Sequence, residues 1–268
     1  MELGITGRSA MVTDGSKGIG RACVETLLAE GADVCAVSRD VTSLGDLVAS
    51  SAGHLVTASC GLTSIEGCGR APQACPDAFG RIDILVNCAG SAGIGNVLEV
   101  SSDNVDRALL LKLHGYLRMA QRVAPSMRKR GWGRIINIAG SAGSSPTADN
   151  LPTSQANITV HNLTRALSCE LAPSGIQVNL VAPGPTLTDR AVTLFMGAAR
   201  CRTAPPRSSS AKWAPDCRRV VPPLPSRSRA SRASSPRMPP ITYGHPRSTW
   251  TAARDARPRD YRQGDTYA

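Results

Sequence analysis

Thr13-Asp14-Gly15-Ser16-Lys17-Gly18-Ile19-Gly20 lies between an apolar run, Ala10-Met11-Val12, and a helix-forming stretch from Arg21 to Leu28. The order is strand, glycine-rich turn, helix. Glycine is required where backbone must turn tightly and approach a pyrophosphate, and the helix start offers unpaired N–H groups and the positive end of its dipole. The stretch predicts a dinucleotide cradle within an α/β chain. Gly-rich turns also serve as plain connectors between strand and helix, so the remaining motifs carry the decision.

Two of them follow in order: Asn87-Cys88-Ala89-Gly90 and Pro183-Gly184. Together with the turn, which is one residue away from T-G-x-x-x-G-x-G, they resemble the short-chain dehydrogenase/reductase family from about Leu3 to Arg190. The resemblance implies a Rossmann-like, doubly wound parallel sheet in a single domain, a nicotinamide cofactor, and carbonyl/alcohol redox chemistry. Its cofactor positions fall on Gly15, Ser16, Lys17, Gly18, Ile19 and Gly20, then on Asn87, Ala89 and Gly90 beside the ribose. Pro183, Gly184 and Thr188 match P-G-x-x-x-T, whose threonine would touch the nicotinamide amide.

Apolar runs predict strands at Ser9–Thr13, Asp33–Ser38, His54–Cys60, Ile82–Asn87, Arg134–Ile138 and Gln177–Ala182. A helix with N-cap candidates at Ser101–Asn104 is expected to run to Met127, and another from about Thr153 to Leu171. Residues 67–78 read as a poor helix, because Pro72 and Pro76 interrupt it. The second strand ends at Arg39. An acidic side chain there binds a ribose 2′-OH, whereas a guanidinium pairs with a 2′-phosphate. Arg39 and Lys17 therefore favour NADP(H) over NAD(H), against the alternative of a solvated surface arginine.

The family's serine, tyrosine and lysine are not found at their registered positions, which hold Gly140, Thr153 and Asn157. Ser141, one residue later, is the candidate for the serine role. An asparagine that the family places on the preceding long helix registers with Lys112, which reads either as an exchange of lysine and asparagine between Lys112 and Asn157 or, the favoured alternative, as a solvated or core-edge lysine. Ser141, Lys112 and Asn157 are thus the candidate catalytic residues. Tyr116 is expected to pack beneath the long helix and His161 to lie on a helix face.

Composition divides the chain at residue 197. Beyond it, 15 Lys+Arg stand against 4 Asp+Glu, which accounts for the whole formal charge of +11. Residues 1–196 form the expected NADP(H)-binding domain, and residues 197–268 a basic tail rich in Arg, Pro and Ser, for which disorder is expected. Moving the coding frame back one base lets Arg247 to Ala253 read Val-Asp-Val-Asp-Gly-Gly, similar to the family's terminal segment. The same shift lets Arg237 to Ile241 read Asp-Ala-Ser-Tyr, so a single-base slip after about Arg190 is expected.

Nine cysteines show neither C-x-x-C pairs nor histidines at metal spacing, which points to a reducing compartment and to no zinc site. No apolar stretch reaches the length of a membrane span, and a cytoplasmic location is expected. A small carbonyl or alcohol is the expected partner, with a homodimer or homotetramer implied by the resemblance. A nucleotide-binding but inactive protein is the alternative. Nucleic-acid binding ranks below both, because the basic tail lacks interleaved aromatic residues.

Overall fold

The computed structural model describes residues 3–90, 93 and 95–189. The expectations for the tail and for a slip after Arg190 lie outside these residues. Six strands, β1 (Ser9–Thr13), β2 (Asp33–Ser38), β3 (Leu55–Ser59), β4 (Ile84–Asn87), β5 (Gly133–Ile138) and β6 (Ile176–Val181), form one parallel sheet in the order β3-β2-β1-β4-β5-β6. Strand order reverses between β1 and β4. In an open parallel sheet that reversal leaves a crevice at the carboxyl ends of the strands.

Alternation along the strands builds two cores. Met11, Cys35, Leu85, Ile135 and Val178 face helices α3 (Ile65–Phe79), α5 (Gly115–Arg130) and α6 (Leu151–Leu171). Ala10, Val12, Val34, Ala36 and Val86 face the other way, toward α1 (Gly18–Ala29) and α2 (Gly45–Ser50). Burial on both faces explains why the central strands β1, β2 and β4 are near-continuous apolar runs, whereas the outer β6 alternates buried with exposed residues.

Two helices differ from expectation. α3 is continuous through Pro72 and Pro76. Its N-cap Ser64 accepts a bond from the Gly67 amide at 2.9 Å, and Cys68, Ala71, Pro72 and Cys75 are buried, so packing and capping outweigh the two missing amide donors. The long helix is not uniform: α4 (Ser102–Leu109) passes through a π-helical turn at Leu110–His114 into α5. Its N-cap, Ser101, makes no side-chain capping bond.

Candidate cofactor cleft and active site

The glycine turn is shaped by close approaches. A Cβ on Gly20 would lie 2.1 Å from the Asp14 carbonyl oxygen, and one on Gly15 3.0 Å from Ala36 Cβ. Asp14 has φ of 56°, the left-handed region that aspartate tolerates better than most residues. Ser16 and Ser38 hydroxyls share a 2.9 Å bond, and Ser43 Oγ donates to the Ser16 carbonyl at 3.0 Å, which ties the turn to the end of β2. Lys17 is exposed and extended at the N-cap of α1, while Ile19 packs against the apolar core.

Arg39 is exposed where β2 ends. The neighbouring Asp40 carboxylate accepts the Thr42 hydroxyl at 2.7 Å and the Thr42 amide at 3.0 Å. Those bonds, the hydroxyl first, hold its carboxyl below the ordinary range, with the Lys17 charge adding to them. Asp40 thus serves the turn Thr42–Leu44, Arg21 donates to the Ser43 carbonyl of that turn at 2.9 Å and pairs with Glu25, and Lys17 and Arg39 are the two further cations at this corner. A cleft runs from there past Asp14, Ser38, Leu62, Ala89 and Gly90.

A clamp holds the next motif. Thr13 Oγ1 accepts the amides of Cys88 at 2.9 Å and Ala89 at 3.2 Å, fixing the turn after β4 against the end of β1. Asn87 Nδ2 donates to Asn137 Oδ1, and Asn137 Nδ2 to Thr164 Oγ1, each at 2.9 Å. This network joins β4, β5 and α6 under the cleft. Pro183 O accepts the Ser141 amide at 3.0 Å, and Thr188 Cγ2 comes within 3.2 Å of the position of a Cβ on Gly18. Gly184 lies exposed on the same segment. The three motifs therefore meet at the carboxyl end of the sheet.

The candidate catalytic residues are placed as follows. Ser141 is exposed just after β5, opening the turn Ser141–Gly143. Lys112, on the π turn, points inward: its Nζ donates to Ile138 O at 2.9 Å, and its Cε lies 2.9 Å from where a Cβ on Gly90 would be. Asn157 is buried on α6, with Nδ2 2.7 Å from the position of a Cβ on Gly140. All three border the carboxyl end of β5. Thr153 Oγ1 donates to Gly93 O at 2.8 Å, and Ser154 Oγ to Leu151 O at 3.0 Å.

Tyr116 is buried, and its hydroxyl shares Ile138 O with Lys112. Burial raises its phenol well above the ordinary value. His161 is not simply on a helix surface: its Nε2 is enclosed and, like Asn157 Oδ1 and Asn87 Oδ1, has no hydrogen-bond partner among the described residues. Sequence reasoning missed the Thr13 clamp and the Asn137–Thr164 bond, although Thr13 stood at the head of the motif. No group of three or more His, Cys, Asp or Glu is arranged for a metal among the described residues.

These residues fit a dinucleotide: glycines where side chains would collide, helix amides at the turn, and cations at its rim. The sequence model described as short chain dehydrogenase matches residues 8–197. The chain is 34% identical over 178 residues to the short-chain reductase protein NovJ of Streptomyces niveus, covering 65% of this chain and 68% of that one. It is 34% identical to L-xylulose reductase of Mesocricetus auratus, covering 70% and 75%. Among solved structures, a short-chain dehydrogenase from Streptomyces avermitilis aligns with a TM-score of 0.66 at 31% identity, over 68% of this chain and 67% of that one. An NAD+-bound xylitol dehydrogenase aligns at 0.64 and 27% identity, over 67% and 71%.

Proposed function

This chain belongs to the short-chain dehydrogenase family, and we propose that it transfers hydride between NADP(H) and a small carbonyl or alcohol substrate. The observation that carries this reading is the meeting of the glycine turn, the clamped Asn87–Gly90 turn and the Pro183–Thr188 segment around one cleft. A bound nicotinamide dinucleotide supplies or takes up the hydride. Everything else falls to the protein's own groups. Amides of the Gly15–Gly20 turn would hold the pyrophosphate, and Arg39 with Lys17 would hold the 2′-phosphate through charge-assisted bonds.

Ser141 is proposed to orient the substrate oxygen from its exposed position just after β5. Lys112 is proposed to hold its ammonium toward the ribose, supported by its inward direction against Gly90 and Ile138 O. Asn157 would then fill the opposite wall with an amide in place of a cation. A homodimer or homotetramer and a cytoplasmic, reducing compartment belong to the same reading.

Fluorescence titration with NADPH and NADH, followed by a panel of carbonyl compounds, tests the proposal. NADPH should bind about tenfold or more tightly than NADH, and Arg39→Asp should reverse that order. Equal affinities, unchanged by Arg39→Asp, would remove the cofactor assignment. Binding with no turnover across the panel would leave a nucleotide-binding protein without catalysis.

A further inference from the structure

Two charged side chains flank the Cys88–Gly90 turn. Asp14 directly follows Thr13, whose hydroxyl clamps the Cys88 and Ala89 amides, and the register of β1 with β4, Val12 beside Val86, brings Asp14 level with Cys88. On the other side Lys112 reaches in from the π turn, its Nζ 3.6 Å from where a Cβ on Gly90 would lie. Asp14 and Gly90 line the same cleft. Both charged groups are only partly exposed, so solvent screens them less than it would a surface pair.

We propose that Asp14 and Lys112 form a compensating pair that sets the charge met by a dinucleotide at the cleft floor, so that the ammonium offsets the carboxylate that would repel a pyrophosphate. The inference rests on the reading of the cleft as a dinucleotide site. The Cys88 thiol, in the same turn, feels both charges. Burial mainly pushes Cys88 up to about 12; Cys23 and Asp14 push it in the same direction, and Lys112 pulls it down.

Asp14→Asn, Lys112→Met and the double variant separate the contributions, because asparagine keeps aspartate's size and its tolerance of a positive φ. Titrated with NADPH, Asp14→Asn should bind about threefold tighter and Lys112→Met about tenfold weaker, with the double variant recovering to about threefold weaker than the parent protein. A double variant as weak as Lys112→Met, or an unchanged Asp14→Asn, overturns the pair. In the protein without nucleotide, alkylation of the Cys88 peptide followed by mass spectrometry provides a second readout. Lys112→Met should slow it, Asp14→Asn should speed it, and the double variant should fall between. If no variant binds NADPH, the dinucleotide reading fails while the alkylation series still decides the pair; alkylation rates unmoved by either substitution overturn it on their own.

Discussion

Gly20 and Gly45 show how the same residue type answers to different constraints. Gly20 has no room for a methyl group, since its Cβ would meet the Asp14 carbonyl oxygen at 2.1 Å, whereas nothing lies within 4 Å of a Cβ on Gly45 at the start of α2. Gly20→Ala should destabilise the protein by about 2–3 kcal/mol through backbone displacement in a packed turn. Gly45→Ala should stabilise it by roughly 0.5–1 kcal/mol, because alanine loses less chain entropy in a helix. Denaturant unfolding of the two variants checks both signs, and a stable Gly20→Ala would show that the turn yields. The glycine at position 20 could be read from the sequence motif. The left-handed Asp14 could not, because the motif's spacing says nothing about how an aspartate is accommodated there.

Among the elements, α3 is the instructive one. Pro76 lacks the amide that would bond to the Pro72 carbonyl, and its ring crowds that oxygen, yet both residues sit inside a regular helix. Pro76→Ala should raise stability by about 1–2 kcal/mol, the restored bond being partly offset by a freer unfolded chain. A lowered thermal midpoint would show instead that the Pro76 ring contributes packing that alanine cannot supply. Local pattern failed on α3 because its stability comes from contacts with the sheet. Strands read correctly for the complementary reason: β1, β2 and β4 are short apolar runs buried on both faces, and the outer β6 keeps an apolar residue at every second position. The cleft was legible in its glycines and in Asn87, which local spacing reveals. Thr13 meeting the Cys88 amide spans 75 positions, and the inward turn of Lys112 depends on a π turn and on Gly90, so neither has a local signature.

At the scale of the whole molecule, buried thiols predict a response to alkali. Burial pushes Cys23 and Cys68 up, a bond to Cys35 followed by burial does so for Cys75, and burial raises Cys88 to about 12. These groups hold protons more tightly folded than unfolded. Stability is therefore fully present below the unfolded thiol value, roughly 8.5, and falls as pH rises from there through the folded values. Urea midpoints should drop between about pH 8 and pH 10.5, less steeply in Cys88→Ala, and a flat profile would contradict the assignment. Sequencing the coding DNA beyond Arg190 provides a separate check. The shifted frame should encode the Val-Asp-Val-Asp-Gly-Gly segment, and the idea fails if no frame does. The sheet order gives that check a further meaning. Translation lays down the sheet from its centre, β1 first, then β2 and β3 to one margin, and only afterwards β4, β5 and β6 to the other. An error after Arg190 leaves all six strands correctly encoded, yet the Gly15–Gly20 cradle, synthesised first, closes only against Thr188, made just ahead of that point.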